Sequence, residues 1–230
     1  MARLASAGAS RHLLALPYGS AAARAIASRS GARVIDVPLP VGLEGTAAWL
    51  RTVGAWLGRD AEAGRAVEEG LREVVPPIGP LVPRAIAGRR IGVVADPALA
   101  EGLGAYLAEL GAEVVPPLVR CRREESVPAA LRGPRPGGVR PHDPSLDSLG
   151  AWVRAAEADG PLDLVVGSSR ERELLKSSGV PFLELGFPSI HWRPLVAAPT
   201  LGFAGALHLA HRISNRLADT GFERMARDKA

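Results

Sequence analysis

Cysteine is almost absent: Cys121 is the only one in 230 residues. That excludes a disulfide within the chain and any metal or cluster site made from this chain's cysteines alone. Aromatic residues are scarce at 4% while 47% of residues are apolar, so a core has to be built from Ala, Val and Leu. No apolar run approaches the length needed to cross a bilayer. The basic, small-residue stretch Met1 to Arg11 has the look of an export signal, but Leu13 to Leu16 is too short for the apolar centre of one and reads better as a first strand. Neither a GxGxxG nor a P-loop pattern occurs, which removes the standard nucleotide fingerprints. The net charge of +4 comes from scattered arginine that is not interleaved with aromatics, so it predicts a solvated surface and no nucleic-acid partner. If the charge has a target, an acidic protein fits it best. A reducing, cytoplasmic setting without membrane attachment follows as the expectation.

What is present is an alternation of short apolar runs and helical periodicity. Leu13–Leu16, Arg33–Val37, Ile91–Ala95, Glu113–Val119, Leu162–Val166 and Phe182–Leu185 read as strands. Continuous apolar runs of this length, separated by helices, predict a parallel sheet buried on both faces. Helices are predicted over Ser20–Ser30, Glu44–Gly58, Asp60–Val75, Ala98–Gly111, Leu146–Asp159, Arg170–Ser178 and Gly202–Thr220, with Ser20 as cap of the first. The fold class is therefore α/β, with two Rossmann-like doubly wound units and a C-terminal helix. Between Pro76 and Pro83 there are four prolines in eight residues, too many for one helix, so residues 76–83 read as a hinge. The units are then 1–75, a partial first one, and 84–201, followed by the helix and tail at 202–230. Residues 122–144 offer almost nothing to bury and read as a flexible loop.

Three segments near the C-terminus stand in an informative order. Gly167-Ser168-Ser169 ends a strand; Gly179-Val180-Pro181 leads through Leu185 to Gly186-Phe187-Pro188; Gly202-Phe203-Ala204-Gly205-Ala206 opens the last helix. Upstream stand Pro38-Leu39-Pro40-Val41-Gly42 with Thr46, then Gly88-Arg89-Arg90 through Asp96-Pro97, then Gly102-Leu103 and Glu109-Leu110-Gly111. This series resembles the beta-type chains of the nitrogenase component 1 superfamily, including the paralogous cofactor-assembly scaffolds, from about His12 to Asn215. Members usually carry three Rossmann-like domains, so the resemblance implies that only the second and third are matched and the N-terminal one is missing. It also implies a homologous alpha-type partner subunit, an ATP-dependent iron-sulfur reductase as electron donor, and a homo- or hetero-oligomer. The cofactor so implied is an iron-sulfur metallocluster of the assembled complex. In catalytic alpha-type chains a cysteine and a histidine hold the cofactor, and the matching positions here are Pro17 and Leu201, which cannot bind metal. No cofactor is therefore expected on this chain alone.

In a doubly wound sheet the ligand face is the carboxyl edge of the strands. The loops there nominate Tyr18, Gly19, Ser168, Ser169, His191 and Arg193 as cofactor-binding candidates, with no catalytic residue and no metal ligand. Ser168 and Ser169 could hold an anion at a positive helix end, although serine at a helix start is most often a plain cap. Asp96 before Pro97 also reads as a turn or cap. His208 and His211 share a face of the last helix but lack a completing carboxylate or cysteine. Cys121, among Arg120, Arg122 and Arg123, has a thiolate favoured by charge yet reads as structural. The function expected is a non-cluster subunit of a nitrogenase-like oxidoreductase or a metallocluster-assembly scaffold. The alternatives are a two-lobed small-molecule binding module and a degenerate fragment of a longer chain.

Overall fold

The computed structural model describes residues 9–121, 139–141 and 146–227. Two parallel sheets carry the chain. The first pairs β1 (His12–Ala15) with β2 (Arg33–Asp36), joined by α1 (Ser20–Ser30). Then come α2 (Gly42–Leu57) and α3 (Asp60–Ile78). The second sheet is built from β3 (Arg90–Ala95), β4 (Glu113–Val114), β5 (Leu118–Cys121), β6 (Val139–Pro141), β7 (Leu164–Gly167) and β8 (Phe182–Glu184). Its order is β6-β5-β3-β7-β8, with β4 also on β3, and every pairing is parallel. The chain thus winds outward from β3 in one direction, then crosses back and winds outward in the other. This is the doubly wound arrangement, with its switch point between β3 and β7.

Side-chain alternation along the central strands feeds two separate clusters, as a period of two requires. Ile91, Val93 and Val166 point toward α4 (Pro97–Glu109) and α7 (Gly202–Arg227), meeting Leu103, Tyr106, Leu209 and Ile213. Val94 and Val165 point the other way, onto Leu149, Trp152 and Val153 of α5 (Leu146–Ala156) and Leu175 of α6 (Ser169–Leu175). The first cluster also takes in Leu39, Val41, Val74 and Ile78, so the opening unit shares the core of the second. Glu109 of α4 reinforces that join by accepting from the Leu43 and Glu44 amides at 3.0 and 3.3 Å, satisfying the free N–H groups that open α2.

Four local expectations are corrected. Pro76 and Pro77 do not end α3, which runs through both to Ile78. Val74 and Ile78 lie one turn apart and are buried, while Arg72 and Glu73, whose carbonyls lose their helical donors, are exposed to water. The run Glu113–Val119 is not one strand: Pro116 and Pro117 offer no amide, and pairing with β3 resumes only at Leu118. Within the expected loop 122–144, residues 139–141 form β6 against β5; its other residues, 122–138 and 142–144, lie outside those described. Finally, Ser20 does not cap α1; its hydroxyl donates to the Leu16 carbonyl and to Asp36, and Gly19 takes the capping position.

Candidate functional site

The carboxyl ends of β3, β5 and β8 open onto a cleft of about 1000 Å³, walled by Tyr18, Asp96, Arg120, Phe187, Leu201 and Arg212 among others. Asp96 organises its floor. The carboxylate caps α4 by accepting from the Ala98 and Leu99 amides at 3.1 and 3.2 Å. The Tyr18 hydroxyl donates to the same oxygen at 2.9 Å, tying the first unit to the second. Burial and then this bond to Asp96 push the Tyr18 phenol above its ordinary pKa, so it remains a neutral donor.

Beneath the cleft lies a buried polar network. Ser168 forms a capping box with Glu171: its amide and hydroxyl both donate to Glu171 Oε2, at 2.8 and 2.6 Å. Glu171 is fully buried, and its other oxygen stands 3.6 Å from Arg120 Nη1. Arg120 in turn donates from Nη2 to the Phe187 carbonyl at 3.3 Å, holding the loop that forms one cleft wall. Ser169 Oγ donates to Glu184 Oε1 at 2.7 Å and accepts from the Ile190 amide at 2.6 Å. The same Glu184 oxygen accepts from Ser189 Oγ at 2.8 Å and from the amides of His191 and Trp192 at 3.1 and 3.2 Å. Burial alone would raise the Glu184 pKa; the Ser169 and Ser189 hydroxyls and the two amides outweigh it and hold the carboxyl at about 2. One ionised side chain therefore shapes the whole turn from Ser189 to Trp192.

The six nominated residues separate accordingly. Tyr18 lines the cleft, whereas Gly19 sits in the short turn Pro17–Gly19 and touches neither cavity. Ser168 and Ser169 are buried, their hydroxyls engaged by Glu171 and Glu184. His191 and Arg193 face a different groove, of about 1580 Å³, beside β8. There His191 Nε2 lies 3.1 Å from Glu173, and Arg193 Nε donates to the Ile190 carbonyl at 3.3 Å. Sequence reading passed over Arg120, Glu184 and Arg212. For Glu184 a signal existed, since it is the sole charge in the apolar run Pro181 to Leu185.

The profile of nitrogenase component 1 type oxidoreductases matches residues 1–218. The chain belongs to this family. Among curated relatives, this component 1 chain is 28% identical over 190 residues to the nitrogenase molybdenum-iron protein beta chain of Methanococcus maripaludis, covering 80% of this chain and 39% of the relative. It is 29% identical over 186 residues to the nitrogenase iron-iron protein beta chain of Rhodobacter capsulatus, covering 78% and 39% respectively. The chain thus spans less than half the length of these relatives. A solved structure of nitrogenase Cp1 at pH 6.5 superposes with a TM-score of 0.70 at 20% identity, covering 93% of this chain and 46% of that one. A periplasmic heme-binding protein, BhuT, shares the fold at a TM-score of 0.51 and 16% identity, covering 94% and 80%.

The family's iron-sulfur chemistry finds no ligand set in this component 1 chain as described. Among the described residues no three His, Cys, Asp or Glu side chains gather as a metal would need. His211 ring nitrogen Nε2 pairs with Asn215 Nδ2 at 3.0 Å, and the His208 ring lies 6.4 Å from that of Trp192. No helix among the described residues is long and apolar enough to cross a membrane.

Proposed function

We propose that this chain is a beta-type, non-cluster subunit of a nitrogenase-like component 1 complex. Residues 1–75 and 84–201 act as its two units, joined at 76–83 and followed by 202–230, whose helix Gly202–Arg227 packs on both. It pairs with a homologous alpha-type subunit, and the pair takes electrons from an ATP-dependent iron-sulfur reductase or serves as a scaffold for metallocluster assembly in the cytoplasm. In either role the chain supplies a wall, a contact and a charge pattern, and the partner supplies the ligands. The observation that carries this reading is the switch-point cleft, with Arg120, Arg212 and the neutral Tyr18 phenol around it; the resemblance, which matches the cofactor-holding positions of alpha-type chains to about Pro17 and to Leu201, supports it. Supporting it, Phe187, Ile190, Leu195 and Val196 are 87, 57, 99 and 79% exposed on one loop, an apolar surface of the kind that subunits cover.

Co-expression with an alpha-type component 1 subunit, followed by affinity purification and iron analysis of the complex and of each chain, tests the proposal. The two chains should co-purify, with iron following the partner. Failure to co-purify, or iron held by this chain alone and lost on Cys121→Ala, would overturn it.

A further inference from the structure

The groove beside β8 has an unusual edge. Val165 donates to the Pro181 carbonyl at 2.8 Å and Leu185 to the Gly167 carbonyl at 2.7 Å, so the backbone groups of the alternate residues, Phe182 and Glu184, point away from β7 to the free edge of the sheet. Their carbonyls accept from Arg216 Nε at 3.1 Å and Arg212 Nη2 at 2.7 Å. The two arginines lie one turn apart on α7, which matches alternate residues of the strand. The free edge of the sheet is thereby presented to the groove as guanidinium groups.

Arg212 is only 8% exposed, and its guanidinium carbon lies 3.9 Å from the centre of the Trp192 ring. This stack and the bond to the Glu184 carbonyl hold it inward. Its other N–H groups have no acceptor among the described residues, and no carboxylate lies within ion-pair distance. The nearest countercharge, Glu184, has Oε1 committed to four donors and Oε2 3.5 Å from Arg172. Burial pushes the Arg212 pKa down, against the pull of Glu184. A largely buried cation whose unused donors still open onto a cavity is placed to take up an anion with little further loss of hydration. Exposed Arg172, Lys176 and Arg193 add positive potential at the rim, against Glu173, which His191 engages, and Asp219.

We propose that this groove binds a small molecule bearing a carboxylate or phosphate group, its oxyanion taken by the unused donors of Arg212 and its apolar part lying against Phe182 and Leu207. The site belongs to the chain itself and does not depend on the subunit assignment. Titration of the full chain with citrate and, separately, with inorganic pyrophosphate, against sodium chloride at matched ionic strength, is read by tryptophan fluorescence and Tm. One of the two should give a saturable response that chloride does not, and which one responds tells carboxylate from phosphate. Arg212→Gln should weaken that binding by roughly tenfold or more. Because Arg212 is buried, the exposed pair Lys176→Glu with Arg193→Glu provides a variant that leaves the core intact, and it should weaken binding several-fold. Responses no larger than chloride for both probes, or saturable binding kept by every variant, would overturn the proposal.

Discussion

Glu184 concentrates more polar bonding than any other side chain described around the cleft, with four donors converging on one oxygen. Its pKa is held at about 2, below the ordinary 4.5, so its contribution to stability is complete above pH 4.5 and is lost as pH falls through about 2. Glu184→Gln should therefore lower stability at neutral pH by about 1–3 kcal/mol, the penalty of unpaired buried donors. Thermal denaturation of both proteins from neutral to acid pH provides the check. The gap should narrow as pH falls from 4.5 toward 2, and a gap that stays constant would mean that the carboxylate charge is not what holds the turn. The same carboxylate indirectly sets the ends of both cavities, because the His191 and Trp192 amides hang from it and Trp192 in turn supports Arg212.

At the level of elements, the start of α7 decides how the last helix meets the first unit. The Gly202 amide donates to the Pro40 carbonyl at 2.8 Å, and Phe203 packs against Gly70 of α3. Gly202 and Gly205, which open this helix, meet different requirements. Gly202 has open space around it and a φ of +74°, so its requirement is conformational. At Gly205 an added Cβ would sit 2.5 Å from the Thr200 carbonyl carbon, which is backbone and cannot swing aside. Gly205→Val should destabilise the protein by about 1–3 kcal/mol through overpacking. Chemical denaturation measures this, and a fully stable variant would show that the 200–205 turn adjusts freely.

Considered as a whole molecule, the chain pairs a well-buried parallel sheet with an apolar loop that it leaves uncovered, Leu195 being 99% exposed. Such a surface is exposed to water only at a cost, and a symmetric dimer or a heterologous partner would remove that cost by covering it. Light scattering at micromolar concentration should find an oligomer, or a monomer that converts to one when an alpha-type chain is co-expressed. A monodisperse monomer in both conditions would remove the association claim.

The sequence alone determined the alternation of strands and helices, and with it the α/β class, because continuous apolar runs such as Ile91–Ala95 can only be buried on both faces. The order of small turn motifs determined the family, because glycine and proline positions are constrained locally by backbone geometry. Other features depended on the tertiary structure. Pro76 and Pro77 stay helical because Val74 and Ile78 are needed in a core assembled from distant elements. Residues 139–141 become a strand because β5 offers them an edge. Arg212, polar by any local rule, is buried by a carbonyl 28 positions away and a ring brought over by the loop after β8. Local propensity fixes what a segment prefers, but which charges lose their water is settled only when segments far apart in the chain are packed together.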